Sequence, residues 1–253
     1  MENKPAGPTH SVLLKLIGGF DLHVDGEPVA VSESSQRLMA YLALVGPNER
    51  RVIASHLWPD KAEDRAGANL RSAIWRLTTP DNLARPIELV RGHHSRLQLA
   101  DCVDVDAYTL EQVGWSLSRG NRVNGHQVGA FLALGDLLPG WYEDWVLLER
   151  ERLGQLQLHF LETIAYQLLC AGSPTAALDT ALRLVALDPL REGSQRVLLT
   201  IYCSEGSLGQ AQRQLDKYRS MLLEAFACEP KLSLGRILRE IDMSDSDRFA
   251  TAG

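Results

Sequence analysis

Between Glu63 and Leu77 the chain reads Glu-Asp-Arg-Ala-Gly-Ala-Asn-Leu-Arg-Ser-Ala-Ile-Trp-Arg-Leu. Ala66, Leu70, Ala73, Ile74 and Leu77 recur at three- and four-residue spacing, so they form one apolar stripe of a helix. Asp60 reads as its cap, with Glu63 three residues on completing a capping box, and Pro80 bounds its far end. A one-sided helix must bury its stripe against other elements, and the flanking sequence names them. Upstream, Val12 to Val24 runs through apolar and β-branched residues broken by Gly18-Gly19, and Asp25-Gly26 marks a turn before Pro28–Val31, which reads as strands. Ser34 then reads as the cap of a helix over 35–45 ended by Gly46-Pro47, and a shorter helix follows over 49–57. Downstream, Ile87–Arg91 and Arg96–Leu99 alternate apolar with polar around the turn 92–95, a hairpin. Strands, three helices and a hairpin, in that order, are the winged form of the helix-turn-helix.

The outer face of the third helix carries Arg65, Asn69, Ser72 and Arg76. Arginine can give two parallel hydrogen bonds to guanine and asparagine can do so for adenine, while the small Ala68 and Ser72 permit close approach to base edges. The pattern therefore fits a helix lying in the major groove of double-stranded DNA. Arg91, His93, His94, Ser95 and Arg96 fall at the hairpin tip, where phosphate contact is expected. Arg50 and Arg51, at the start of the second helix, either anchor phosphate or are plain exposed arginines. Trp75 sits off the apolar stripe and is bulky for a groove, so packing against a neighbouring protomer is the expectation for it.

The overall charge of −6 would by itself argue against nucleic acid, but its distribution does not. Residues 50–96 hold nine Lys/Arg against five Asp/Glu, whereas residues 101–253 hold fourteen against twenty-one. The acidity belongs to the second half. With 253 residues and 45% hydrophobic content, two folded domains are the natural division. From Asp104 onward the reading is nearly all helical: Leu158, Leu161, Ala165 and Leu168 form one stripe, and Leu178, Ala181, Leu182 and Val185 the next. Leu198, Ile201 and Tyr202, then Ala211, Leu215 and Tyr218, continue the series. Gly172 and Gly206 are 34 residues apart, as are Ala177 and Ala211, which is the tetratricopeptide period. A plain helical bundle is the alternative. The expected organisation is a flexible tail over 1–10, a winged-helix domain over 11–100, a tetratricopeptide-like all-α domain over 104–242 and a second tail over 243–253.

Other constellations read as structural. Glu143, Asp144, Glu149 and Glu151 near Trp141 and Trp145 resemble an acid–base pair beside aromatics, but the reading preferred is a solvated helix face next to core tryptophans. Adjacent histidines on a hairpin point to opposite faces, so His93 and His94 are not expected to hold a metal. The four cysteines, Cys102, Cys170, Cys203 and Cys228, lack Cys-x-x-Cys spacing and suit reduced thiols of a cytoplasmic protein, with Cys170 and Cys203 in core stripes. No apolar run approaches the roughly 20 residues of a membrane span. No nucleophile elbow, zinc pattern or Gly-x-x-x-x-Gly-Lys-Ser/Thr loop occurs, so neither catalysis nor a cofactor is expected.

Six strings in fixed order carry a family likeness: Ser35–Leu44, Leu57-Trp-Pro-Asp60, Glu63-Asp-Arg65, Leu70–Arg76, Leu137–Arg152 and Asp188-Pro-Leu-Arg-Glu192. In these the chain resembles the SARP family of bacterial regulators, activators of secondary-metabolite gene clusters with an OmpR-like winged helix followed by a bacterial transcriptional activator domain of tetratricopeptide type. The likeness covers about Leu13 to Ile241. It implies binding of promoter direct repeats by two or more protomers side by side, paired on the DNA, and recruitment of RNA polymerase holoenzyme. It places recognition roles on Arg65, Asn69, Arg71, Ser72 and Arg76 and the wing on 91–96. A helical-repeat adaptor for other proteins, or a DNA-binding repressor, are the alternative readings.

Overall fold

The computed structural model describes residues 11–78, 87–93, 95–121 and 135–250. The chain is mainly α-helical with a small N-terminal β region. It divides into two compact units, one of residues 1–112 with 134–153 and one of 113–133 with 154–253. The expected tail at 1–10, Pro80 and His94 lie outside the described residues.

In the first unit β1 (Val12–Lys15), β2 (Asp21–Val24), β3 (Glu27–Pro28) and β7 (Val103–Val105) form a sheet in the order β3-β2-β1-β7. β1 and β2 are antiparallel, and β7 lies parallel to β1 with Val12 opposite Val103. Alternation puts Val12, Leu14, Leu22 and Val24 inside. The joint is tied by Asp106, whose carboxylate accepts from the amides of Leu16 and Ile17. Burial raises the pKa of Asp106, and these amide bonds partly offset the rise.

Three helices follow the first strands: α1 (Glu33–Leu44), α2 (Arg50–Leu57) and α3 (Glu63–Thr78). α1 starts two residues earlier than the sequence suggests, because Ser32 rather than Ser34 accepts from the Ser35 amide. Three serines in four residues left the choice open, and the first one wins. Between α2 and α3 a turn closes with the Lys61 amide donating to the Trp58 carbonyl, so Pro59 and Asp60 occupy its centre. Asp60 is therefore a turn residue and not the cap of α3. The Ala62 carbonyl takes the first helical bond, from Ala66. α3 presents Ala66, Leu70, Ala73 and Leu77 to the core, against Leu38, Met39 and Leu42 of α1 and Ile53 and Leu57 of α2. Buried Ser35 donates from its hydroxyl to the Ala73 carbonyl and fixes α1 on α3.

The hairpin is β5 (Val90–His93) and β6 (Arg96–Leu99), with β4 (Asn48–Glu49) on the far edge of β6. His93 pairs with Arg96, so the turn is tighter than the expected 92–95 and Gly92 lies within the strand. Residues 135–153 close this unit's core. The Leu138 amide donates to Leu16, and Arg150 holds the carbonyls of Leu137, Leu138 and Trp141 at 2.8–3.0 Å. Trp141 stacks on Phe20, and Trp145 is buried edge-on to Tyr41.

The second unit is all-α. Beside the C-terminal end of α4 (Asp106–Ser118) and that of α5 (Asp144–Cys170), it holds α6 (Pro174–Leu187), α7 (Glu192–Ser204), α8 (Leu208–Phe226) and α9 (Leu234–Ala250). The 34-residue period is physical. Gly172 and Gly206 both take left-handed φ, +73° and +70°, at equivalent helix ends. Ser173 and Ser207 donate their amides back to Leu168 and Tyr202, and each offers its carbonyl to an alanine four residues on, Ala177 and Ala211. Both alanines are fully buried. This is the tetratricopeptide-like helix pair, in which small residues let successive helices close on one another. The inward stripe of α6 is Ala177, Thr180, Ala181 and Leu184, with Leu182 exposed, so it is rotated from the expected Leu178–Val185 stripe. Cys203 is buried but Cys170 is exposed, since 34 residues beyond Cys170 stands Ser204 and not Cys203. α9 runs past Met243, where a tail is expected, because Ser244–Asp247 contains neither glycine nor proline to stop it.

Candidate nucleic-acid interface

With its apolar stripe buried, α3 turns its remaining face outward. Ala68, Ser72 and Trp75 follow at four and three residues and share the middle of that face, with Arg65 and Arg76 on one flank and Arg71 on the other. Arg65, Arg71, Ser72 and Arg76 are exposed and Asn69 is half-buried. Among the described residues no carboxylate forms an ion pair with Arg65, Arg71 or Arg76. Three exposed arginines thus share the outward side of the helix. Trp75, expected from the sequence to pack against a neighbouring protomer, is 67% exposed in their midst. Its spacing from Ala68 and Ser72 is the signal that identifies its place.

The other candidate residues are held differently. Arg51 lies 3.4 Å from Glu63 and joins the starts of α2 and α3, with both side chains largely in solvent. Arg50 is half-buried: its amide donates to the Ser95 carbonyl, and its guanidinium lies over Gly92, where a Cβ would come within 3.0 Å of Nη2. Glycine in the strand makes room for that arginine. Arg96 donates to the Pro47 carbonyl at 3.0 Å. Arg91 is clasped by Glu88 at 3.3 Å and by Asp101, and the charge of Asp101, then the bond to Glu88, raise its pKa further above the ordinary range. His93 stands on β5 opposite Arg96. The structure leaves Arg65, Arg71, Ser72 and Arg76 on the outward side of α3 and Asn69 half-buried at its edge. Arg91 and Arg96 already have partners, the carboxylates that flank the hairpin for the first and the Pro47 carbonyl for the second.

An open groove of about 890 Å³ is lined by Trp58, Trp141, Tyr142 and Trp145 with Arg37 and Glu143, and those last two pair at 2.9 Å. Glu149 pairs with Arg152 at 2.7 Å, while Asp144 and Glu151 are exposed beside the core tryptophans. Among the described residues no group of three or more His, Cys, Asp or Glu side chains is placed to hold a metal ion. Among them, too, no helix is long and apolar enough to cross a membrane.

Comparison with known proteins adds two findings. Residues 129–242 match the family described as bacterial transcriptional activator domain. A solved structure, Mycobacterium tuberculosis EmbR in complex with low affinity phosphopeptide, superposes with a TM-score of 0.73 at 16% identity over 93% of this chain. This chain spans 66% of that one. The likeness is one of fold. No curated protein matches the chain.

Proposed function

We propose that this protein is a non-enzymatic, sequence-specific DNA-binding regulator of transcription. The observation that carries the reading is the outward face of α3, where Arg65, Arg71 and Arg76 surround small residues without a described acid partner. Arginine forks next to Ala68 and Ser72 suit base edges in the major groove, and in this reading the β5–β6 wing meets phosphates. The match of residues 129–242 to a transcriptional activator domain supports the regulatory role.

In finer detail, the region 11–100 reads DNA and the region 104–242 mediates self-association or regulation. The regulator is of the SARP type: it occupies tandem direct repeats in promoters as paired protomers and recruits RNA polymerase holoenzyme, at a secondary-metabolite gene cluster. The test is selection of sites by the full-length protein from a random pool of duplex DNA. A short motif repeated in tandem at about one helical turn is expected, with affinity falling steeply as salt rises. Failure of the folded protein to enrich any motif at moderate salt would turn the reading toward a protein-binding adaptor.

A further inference from the structure

Trp75 is the one large apolar side chain on the face that the proposed function turns toward DNA. It is 67% exposed, and it lies seven residues beyond Ala68 and three beyond Ser72, so it shares their direction. If the small residues meet base edges, the indole meets them one turn further along. Its bulk is no obstacle there. A recognition helix enters the groove by its N-terminal residues, and the gap between helix and groove floor widens toward the other end. Trp75 stands three residues before that end, at Thr78.

The groove floor gives an apolar ring little to meet. Every major-groove edge offers hydrogen-bond donors and acceptors, and an indole face laid on them would leave those groups unpaired. The C5-methyl of thymine is the exception. Arg71 and Arg76 flank Trp75 and draw the phosphate-lined groove onto this face, which argues for DNA rather than a second protomer as the occupant. We infer that Trp75 is a specificity-determining residue that selects a thymine in each half-site by packing on its methyl group. This rests on the DNA-binding reading above.

The experiment uses the site recovered from the random pool and replaces its thymines one at a time by uracil, which removes only the methyl. Affinity for the full-length protein is measured by fluorescence anisotropy at fixed salt on a single half-site and on the tandem site. One position per half-site is expected to lose about fourfold in affinity, the worth of one buried methyl group. Trp75→Ala is expected to bind the thymine site more weakly and to be indifferent to uracil there, while Trp75→Phe keeps the sensitivity. Thermal unfolding of both variants establishes that they fold. Equal uracil sensitivity in wild type and Trp75→Ala would overturn the inference while leaving DNA binding intact. So would a Trp75→Ala defect confined to cooperative filling of the tandem site, which would assign the indole to the neighbouring protomer. A pool that yields no site at all overturns the DNA reading, and this inference with it.

Discussion

In the second unit Arg191 gives its guanidinium to Glu162 at 2.7 Å and Gln155 at 2.9 Å, Arg183 pairs with Asp179, Arg219 with Glu229, and Arg236 with Glu240. On α3 the same residue type appears three times, at 65, 71 and 76, and no described carboxylate forms an ion pair with it. The difference is one of address. These four arginines hold neighbouring turns and helices of the second unit together, whereas the three on α3 are exposed with no described ion pair. Alanine shows the same division, since Ala177 and Ala211 are fully buried where repeat helices close, and Ala68 is small and exposed between arginines.

One substitution made in both places separates these roles most strongly. Ala177→Leu forces three extra carbons into a fully packed contact and is expected to cost about 2–3 kcal/mol of stability, read as a lower midpoint in urea unfolding. Ala68→Leu is expected to change stability by less than about 0.5 kcal/mol. It would instead weaken DNA binding on the order of tenfold, by holding the helix away from base edges. Loss of stability at Ala68 with unchanged affinity would erase the contrast.

Arginine gives the next largest effects. Arg76→Ala is expected to cost about 1–3 kcal/mol of binding free energy with the thermal midpoint unchanged. If Arg76 touches phosphate rather than a base, the loss would be uniform across sequences and the salt slope would fall by about one. Arg191→Ala should do the reverse. It leaves Glu162, whose side chain is 16% exposed, without its cation, and is expected to cost about 1–2 kcal/mol of stability while affinity per folded molecule stays the same.

Much of this division is written in local spacing, and that is why it was legible. The apolar stripe of α3, the 34-residue period and the order of strands, helices and hairpin all repeat within a few turns of chain. What escaped the sequence lies in longer-range or finer choices. β7 returns to pair with β1 some ninety residues upstream, and no local pattern announces that partner. Ser32 against Ser34, or Asp60 as turn rather than cap, depends on single hydrogen bonds among equivalent candidates. Leu182 and Leu184 both fit an apolar helix face, and only the packing of neighbouring helices decides which is buried. Most consequential is the wing. Arg91 looks as free as Arg76 in the sequence, but the fold brings Asp101 across the hairpin to meet it.

That contact yields the smallest and sharpest test, because it asks whether an arginine's address can be changed. Arg91 is exposed, so its pairing with Asp101 and Glu88 competes with water and contributes little to stability. It does occupy the guanidinium and set two negative charges beside the hairpin that the proposed function turns toward phosphates. Asp101→Asn removes the larger of the two influences on Arg91 and keeps the side-chain shape. The expected result is an affinity gain of about twofold to threefold at low salt, with a steeper dependence on salt as one more cation becomes available to displace counterions. Arg91→Ala in the same background should abolish the gain. If Asp101→Asn strengthens binding even without Arg91, the carboxylate acts on DNA by repulsion alone and the wing arginine is structural. If it strengthens binding only with Arg91 present, the wing differs from α3 in nothing but the neighbour that holds its arginine.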